Sequence, residues 1–203
     1  MNYLGHLHLS GTDPQVILGN FMADGVKGRD LSRHPVLVQQ GIRLHRAIDS
    51  FTDGHPMLRR GRARVRAHAG RYAGVVMDVF YDHLLASRWP QWHDEPLAAF
   101  AQRTYALLDA HQAFMPGDIR LLFGVMRTRD WLTSYESLEG IGRTLHGLSR
   151  RALRGERMAG AEAVLAEHLP AYRAEFEVFF SEISAQAAEW RRDHGSGAPA
   201  RLT

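Results

Sequence analysis

Apolar residues recur along most of this 203-residue chain at spacings of three and four. That spacing places them on one face of an α-helix, whereas a strand requires alternation with a period of two. Long alternating runs of β-branched residues are missing from the sequence, so we predict an all-α fold. No internal repeat is present, and a chain of this length suits one core, which favours a single-domain helical bundle.

Proline and glycine mark the breaks between the predicted helices. The first helix should begin at Asp13-Pro14, a cap followed by a first-turn proline, and stop near Asp24. The second should start after Pro35 and end at Gly54-His55-Pro56, because proline cannot continue a helix. A third helix should run through the arginine-rich segment to about Gly70, and the remaining helices are predicted at 73–89, 97–114, 119–135, 138–151 and 159–192. Residues 1–192 would form the domain, and 193–203, rich in Gly, Ser, Ala and Pro, a flexible tail.

Composition narrows the function classes. Hydrophobic residues make up 45% of the chain and charged residues 23%, as in an ordinary soluble globular protein. No apolar run approaches the roughly 18 residues that cross a bilayer, and the N-terminus lacks signal-peptide features, so we expect a cytoplasmic protein with no membrane association. The chain has no cysteine, which excludes disulfides and thiolate sites. Any metal must therefore be held by His, Asp or Glu.

Basic charge is concentrated in one part of the chain. The formal net charge is only +3, but six arginines fall within thirteen residues: Arg59, Arg60, Arg62, Arg64, Arg66 and Arg71. Such a stretch indicates an acidic partner surface without identifying the partner. An acidic protein, a nucleic acid and a merely solvated helix face are all compatible with it.

Polar residues occupy positions where core residues are expected. His45 and Asp49 are four residues apart, so they differ by about 40° around a helix and share a face with Val38 and Ile42. An ionised carboxylate that leaves water without a partner costs several kcal/mol. A basic partner, a proton or a cation must therefore accompany Asp49 if this face is buried.

The same anomaly recurs on the helix predicted at 73–89, where Asp78 and Asp82 are four residues apart among valines and leucines. A divalent cation would satisfy both carboxylates at once. Asp24, at the end of the first helix, is a further acidic candidate, although turn chemistry also explains it. Carboxylate and imidazole ligands suit Mn²⁺, Fe²⁺ or Mg²⁺ better than a structural zinc, and we expect Mn²⁺.

Histidines near the N-terminus add to this pattern. His6 and His8 are two residues apart, so an extended segment would place them on one side and a helix would splay them. Each of these polar residues, taken singly, is more often structural, and the metal-site hypothesis rests on their combination. The one His-Asp doublet, His93-Asp94, falls in a predicted loop and is interpreted as surface.

Four segments among the first ninety residues together resemble the acyl carrier protein phosphodiesterase family: 1–9 (MNYLGHLHL), 19–24 (GNFMAD), 41–53 (GIRLHRAIDSFTD) and 78–83 (DVFYDH). The resemblance is weaker toward the C-terminus. It implies a fold distantly related to the HD phosphohydrolases, dependence on Mn²⁺, and hydrolysis of holo-acyl carrier protein to its apo form with release of 4′-phosphopantetheine.

The resemblance also suggests roles for individual residues. The expected metal ligands are Asp24, His45, Asp78 and Asp82, with Asp49 as a further ligand or as the group that orients His45. Arg46 would neutralise phosphate charge, because a guanidinium matches phosphate oxygens in a fork. Three histidines are candidates to protonate the leaving serine or to bind metal: His6, His8 and His83.

The stretch Arg59–Arg71 would dock the acidic carrier protein. Two other functions remain open at this stage. An HD-type phosphohydrolase acting on a nucleotide would use the same metal site. A non-enzymatic helical binding module would instead pair the acidic residues and histidines with arginines. The oligomeric state is not predicted, and neither a nucleic acid nor a membrane is expected as partner.

Overall fold

The computed structural model describes residues 1–195, in which eleven α-helices and no strand are found. In chain order the helices are α1 (Tyr3–Leu9), α2 (Pro14–Met22), α3 (Val36–Gly54), α4 (Pro56–Ala69), α5 (Ala73–Ala86), α6 (Leu97–Ala110), α7 (Gly117–Thr128), α8 (Trp131–Ser134), α9 (Leu138–Ser149), α10 (Glu162–Glu167) and α11 (Leu169–Gly195). Short 3₁₀ turns connect several of them. The all-α class is confirmed, while kinship with the HD fold stays a prediction.

Helix ends that are marked by proline lie close to the predicted positions. Asp13 caps α2, since its carboxylate accepts hydrogen bonds from two backbone amides of the first turn, and Pro14 is the first helical residue. Pro35 precedes α3, and α3 ends at Gly54, where Pro56 begins α4. The predicted second helix is therefore confirmed from end to end.

Two predicted helices are each divided in the structure. The segment 119–135 breaks at Asp130, whose φ of 44° lies in the left-handed region and separates α7 from α8. The segment 159–192 divides between α10 and α11, because Pro170 lacks an N–H and must lie in the first turn of a helix. Helix α11 continues through Gly195, and the remainder of the predicted tail, 196–203, lies outside the described residues.

Helices α2 and α3 pack unusually close together because glycines face each other. A Cβ on Gly19 would lie 2.1 Å from the carbonyl oxygen of Val38, and one on Gly41 would lie 2.2 Å from that of Val16. Neither position leaves room for any side chain. The two backbones can therefore approach each other. This brings Asn20 on α2 and His45 on α3 within hydrogen-bonding distance.

Helix α5 lies at the centre of the molecule, in contact with α1, α4, α9 and α11. Its residues Met77, Phe80 and Leu84 are completely buried. Within residues 1–195, no helix is both long enough and apolar enough to cross a membrane. The burial of α5 fixes the surface against which the short N-terminal helix α1 docks.

Candidate metal centre

A polar pocket of about 270 Å³ opens where α1, α2, α3 and α5 meet. Its chemistry is set by six of its lining residues: His6, Asn20, Asp24, His45, Asp49 and Asp78. They come from four helices and the turn after α2, so the pocket exists only in the folded protein. An open, polar concavity with several titratable groups is the usual setting of a catalytic site.

Two imidazoles and two carboxylates converge at the base of this pocket. The Nε2 atom of His6 lies 3.1 Å from Asp49 Oδ1, and the Nε2 atom of His45 lies 3.1 Å from Asp49 Oδ2. His45 Nε2 is also 3.3 Å from Asp24 Oδ1. The two rings stack with centroids 4.1 Å apart. One ligand atom each from His6, His45 and Asp49 fits within 4.8 Å, which is compatible with a shared ion.

Asn20 orients both rings from below. Its Oδ1 is 3.1 Å from Nδ1 of His6 and 3.0 Å from Nδ1 of His45, and its Nδ2 donates to the backbone carbonyl of His6. An amide oxygen can only accept, so both Nδ1 atoms must carry the hydrogen. Each Nε2 therefore faces the pocket. This is the arrangement in which a neighbour fixes the tautomer of a metal-binding histidine.

The charges of the group are strongly coupled. Burial would lower the pKa of His45, but hydrogen bonds with Asp24 and Asp49 outweigh it and raise that pKa to about 9. Burial lowers the pKa of His6 to about 4 in spite of its contact with Asp49. Burial opposes ionisation of Asp49, yet its bonds to the two histidines hold its pKa well below the usual range. At neutral pH His45 is therefore protonated between ionised Asp24 and Asp49, while His6 is neutral.

This donor set fits a divalent cation. A neutral ring whose Nδ1 donates to Asn20 has a lone pair on Nε2. That lone pair would face a carboxylate oxygen little more than 3 Å away, and this contact is repulsive unless a proton or a cation lies between the two atoms. A proton relieves the conflict at His45, but His6 is held neutral. Imidazole nitrogen with carboxylate oxygen suits Mn²⁺, Fe²⁺ and Zn²⁺ alike, so the site does not select a metal sharply.

The family model for acyl carrier protein phosphodiesterases matches residues 1–183 of the chain. The chain belongs to that family. The acyl carrier protein phosphodiesterase of Serratia proteamaculans is 32% identical over 190 residues, which cover 93% of this chain and 98% of that protein. Those of Salmonella agona and Salmonella dublin are 32% identical over 189 residues, with the same coverage. No solved structure matches.

Asp82 is predicted as a ligand, but in this family member it lies beneath the pocket. It is completely buried, and its carboxylate accepts hydrogen bonds from the backbone amides of Asn2 (3.2 Å), Leu4 (2.7 Å) and Gly5 (3.2 Å). These amides belong to the N-terminal end of α1, where helical N–H groups have no partner of their own. Asp82 therefore anchors the helix that presents His6, and it does not reach the ion site.

Asp78 does line the pocket, one turn before Asp82. Its side chain is 34% exposed, and Oδ1 lies 3.1 Å from the amino group of Met1. It falls outside the close group of His6, His45 and Asp49. Its predicted role as a ligand therefore receives no support from these distances.

Two of the predicted catalytic histidines point away from the pocket. Residues two apart on α1 differ by about 200°, so His8 packs on the far side against Trp89 and Phe180, with ring centroids 5.3 and 5.4 Å away. His83 is buried, and its Nδ1 lies 2.8 Å from the carbonyl oxygen of Tyr135. Neither can reach a substrate in the pocket, so neither is retained as the general acid.

Arg46 also serves a structural purpose. Its guanidinium donates to the backbone carbonyls of Val26 (3.2 Å) and Gly28 (2.9 Å), in the loop that follows Asp24. Arg46 does not line the pocket, so its contacts indicate support of this loop and not the predicted direct contact with a phosphate. By holding this loop, Arg46 helps to keep Asp24 beside His45.

The arginine stretch forms helix α4 and the turn after it, and its members differ in their surroundings. Arg64 forms a bidentate ion pair with Glu175, and Arg71 donates to the carbonyl of Leu153. Arg62 pairs at 2.6 Å with Asp53, a residue of the pocket rim. The other three are exposed: Arg59, Arg60 and Arg66.

Asn20 is the residue that sequence reasoning missed. It lies in the GNFMAD segment that carries the family resemblance, and its amide is completely buried. The available signal was an amide between Gly19 and Phe21 on an otherwise apolar helix. A buried amide needs hydrogen-bonding partners, and here the partners are His6 and His45.

Proposed function

We propose that the chain is a metal-dependent phosphodiesterase that removes 4′-phosphopantetheine from holo-acyl carrier protein in the cytoplasm. Water adds to the phosphorus, the bond from phosphorus to the serine oxygen breaks, and the serine oxygen receives a proton. The products are apo-acyl carrier protein and 4′-phosphopantetheine. The observation that carries the proposal is the convergence of two imidazoles and two carboxylates in an open pocket of a chain that belongs to this family.

The residues that would hold the cation are His6, His45, Asp49 and Asp24. We propose Mn²⁺, the metal that the family resemblance implies; the nitrogen and oxygen donors are compatible with it and equally with Fe²⁺ or Zn²⁺. The cation would lower the pKa of a bound water and withdraw charge from a phosphoryl oxygen. Asn20 fixes both rings so that Nε2 faces the pocket, and Asp49, held ionised, supplies negative charge between them.

The direct experiment measures the mass of holo-acyl carrier protein before and after treatment with Mn²⁺-loaded protein. The expected result is conversion to the apo mass together with free 4′-phosphopantetheine, and no conversion after chelation or by an Asp49→Asn variant. A parallel panel of nucleotides tests the rival phosphohydrolase. Turnover of a nucleotide without any change of the carrier protein would contradict the proposal.

The alternative of a non-enzymatic binding module predicts arginine pairs for the acidic residues of the pocket. Within residues 1–195, Asp24 and Asp49 bond to histidines and Asp78 to the amino group of Met1, so Asp53 is the one acidic residue of the pocket with an arginine partner, Arg62. Metal analysis of protein purified without chelator separates the two cases. Stoichiometric metal supports the hydrolase, and metal-free, inactive protein would favour the binding module.

We further propose that one face of α4 docks the acidic carrier protein. Residues three and four apart share a helix face, so Arg59 and Arg66 lie on the same side as Arg62, whose partner Asp53 lines the pocket. Both are exposed, so their charge is available to steer an acidic partner toward the site.

The docking proposal is tested with the double variant Arg59→Glu/Arg66→Glu. It should lower kcat/KM for holo-acyl carrier protein relative to a small phosphodiester by about ten-fold at low salt, because long-range attraction is lost. The matched control is Arg173→Glu/Arg192→Glu, which reverses two exposed arginines of α11. Equal ratios for the two double variants would eliminate α4 as the docking face.

A further inference from the structure

The metal-centre pocket continues sideways into two smaller cavities. A cavity of about 180 Å³ shares Asn2, Tyr3 and Asp78 with the pocket. A third cavity, of about 90 Å³, shares Trp131 and Leu148 with the second. Shared walls mean that the three spaces adjoin one another. We call the second and third cavities together the side groove; it leads from the pocket past α5 toward α8 and α9.

The wall of the second cavity is mostly apolar, whereas the third cavity is lined by Arg129, Arg143 and Arg151 together with small polar residues. Apolar surface in the second cavity, the one next to the pocket, comes from Val75, Leu122, Trp131 and Leu148. Val75 is 40% exposed although it belongs to the most buried helix of the protein. An apolar surface that stays open beside a polar pocket is the mark of a binding surface.

In the second cavity, charged side chains are confined to the two ends. Asp78 stands where it meets the pocket, and Arg151 stands where it meets the third cavity. Between them lie neutral polar groups. The Thr144 hydroxyl donates to the carbonyl of Gly140 at 3.2 Å, which leaves its lone pairs able to accept from an amide. Between its two ends, the second cavity therefore offers apolar contact and hydrogen-bond acceptors but no charged side chain.

We infer that the side groove binds the uncharged pantetheine arm of the substrate, an inference that rests on the proposed function. The arm is covalently joined to the phosphate, so a phosphate at the metal centre forces the arm into a space adjoining the pocket. Its branched methyl groups suit the surface of Val75 and Leu148, and its amides suit Thr144. The acidic body of the carrier protein belongs instead on the basic side of the pocket, at α4.

This placement has a consequence for catalysis. Binding energy from a part of the substrate that does not react can hold the scissile bond at the catalytic centre. The side groove would therefore raise kcat/KM for diesters that carry the arm and leave small aryl diesters without that advantage. It would also distinguish the holo carrier protein from the apo product, which has no arm to insert.

The test fills the groove with an uncharged side chain. Val75→Trp places an indole on the exposed position, and Val178→Trp is the matched control, because Val178 is 46% exposed on α11 and lines neither the pocket nor the groove. We expect Val75→Trp to lower the ratio of kcat/KM for holo-acyl carrier protein to that for bis(4-nitrophenyl) phosphate by about ten-fold, a loss of about 1.4 kcal/mol. The control should keep the wild-type ratio.

A binding measurement keeps this test separate from the proposed function. Unphosphorylated pantetheine, titrated calorimetrically, should bind the wild type and the Val178→Trp variant, and should bind Val75→Trp about ten-fold more weakly. If holo-acyl carrier protein is not converted at all, the proposed function fails and the titration still decides whether the groove takes the arm. If apo-acyl carrier protein competes for the groove and pantetheine does not bind, the arm is the wrong occupant and the inference is overturned.

Discussion

Asn20 bonds to two of the proposed metal ligands, His6 and His45, so its replacement should reveal how much these histidines depend on it. Asn20→Leu keeps nearly the same volume and removes the oxygen that accepts from both Nδ1 atoms. A buried donor left without an acceptor costs about 1–3 kcal/mol, so the two imidazoles together should lower the free energy of unfolding by roughly 2–6 kcal/mol. Loss of such an orienting partner typically weakens metal binding by about 10–100-fold.

The matched control is Gln40→Leu on α3. Gln40 is also a buried amide, but its Oε1 has no hydrogen-bond partner among the described residues. Its replacement by an apolar side chain should therefore change stability by less than about 1 kcal/mol or increase it. Urea denaturation of the chelated proteins gives the free energies, and calorimetric titration with Mn²⁺ gives the affinities. An Asn20→Leu protein as stable and as metal-avid as Gln40→Leu would refute the role given to Asn20.

Three further predictions concern the same region. Asp49→Asn should leave the fold intact and reduce bound Mn²⁺ at least ten-fold, since it removes the carboxylate shared by His6 and His45; near-stoichiometric metal in the variant would contradict this. In chelated protein the pKa of His45 is raised from 6.5 to about 9, so its protonation stabilises the fold fully below pH 6.5, and this stabilisation is lost as the pH rises through 9. Urea denaturation of a His45→Gln variant should lack that decline in stability. Gly41→Ala should destabilise by roughly 3 kcal/mol or more by separating α2 from α3, whereas Gly124→Ala, with open space around it, should stabilise by about 0.5–1 kcal/mol; similar thermal midpoints for both would count against the close glycine contact.

The helices that were predictable from the sequence are those with a local stop signal. Pro35 and Gly54 bound α3 because proline and glycine act on their own backbone, whatever the rest of the molecule does. The division of 119–135 was not predictable in the same way. It depends on Asp130 adopting a left-handed conformation, which aspartate tolerates but does not require.

The candidate site was predictable only in part. The proximity of His45 and Asp49 follows from their spacing on one helix, and the structure places them 3.1 Å apart. The position of His6 depends on α1, whose seven residues carry too short a pattern to choose between a helix and an extended segment. Asn20 could not be singled out, because a buried amide can be satisfied by many partners and the sequence does not name them.

The anchoring of α1 by Asp82 has a consequence for how the centre comes into being. A helix of seven residues cannot persist alone in water, so α1 forms only when a folded α5 offers the carboxylate of Asp82 to its free amides. The pair of helices that carries Asn20 and His45 can assemble before that event. Of the proposed ligands, His6 is the one whose position depends on α1, and local release of α1 would open the candidate ion site while the remaining helices stay folded.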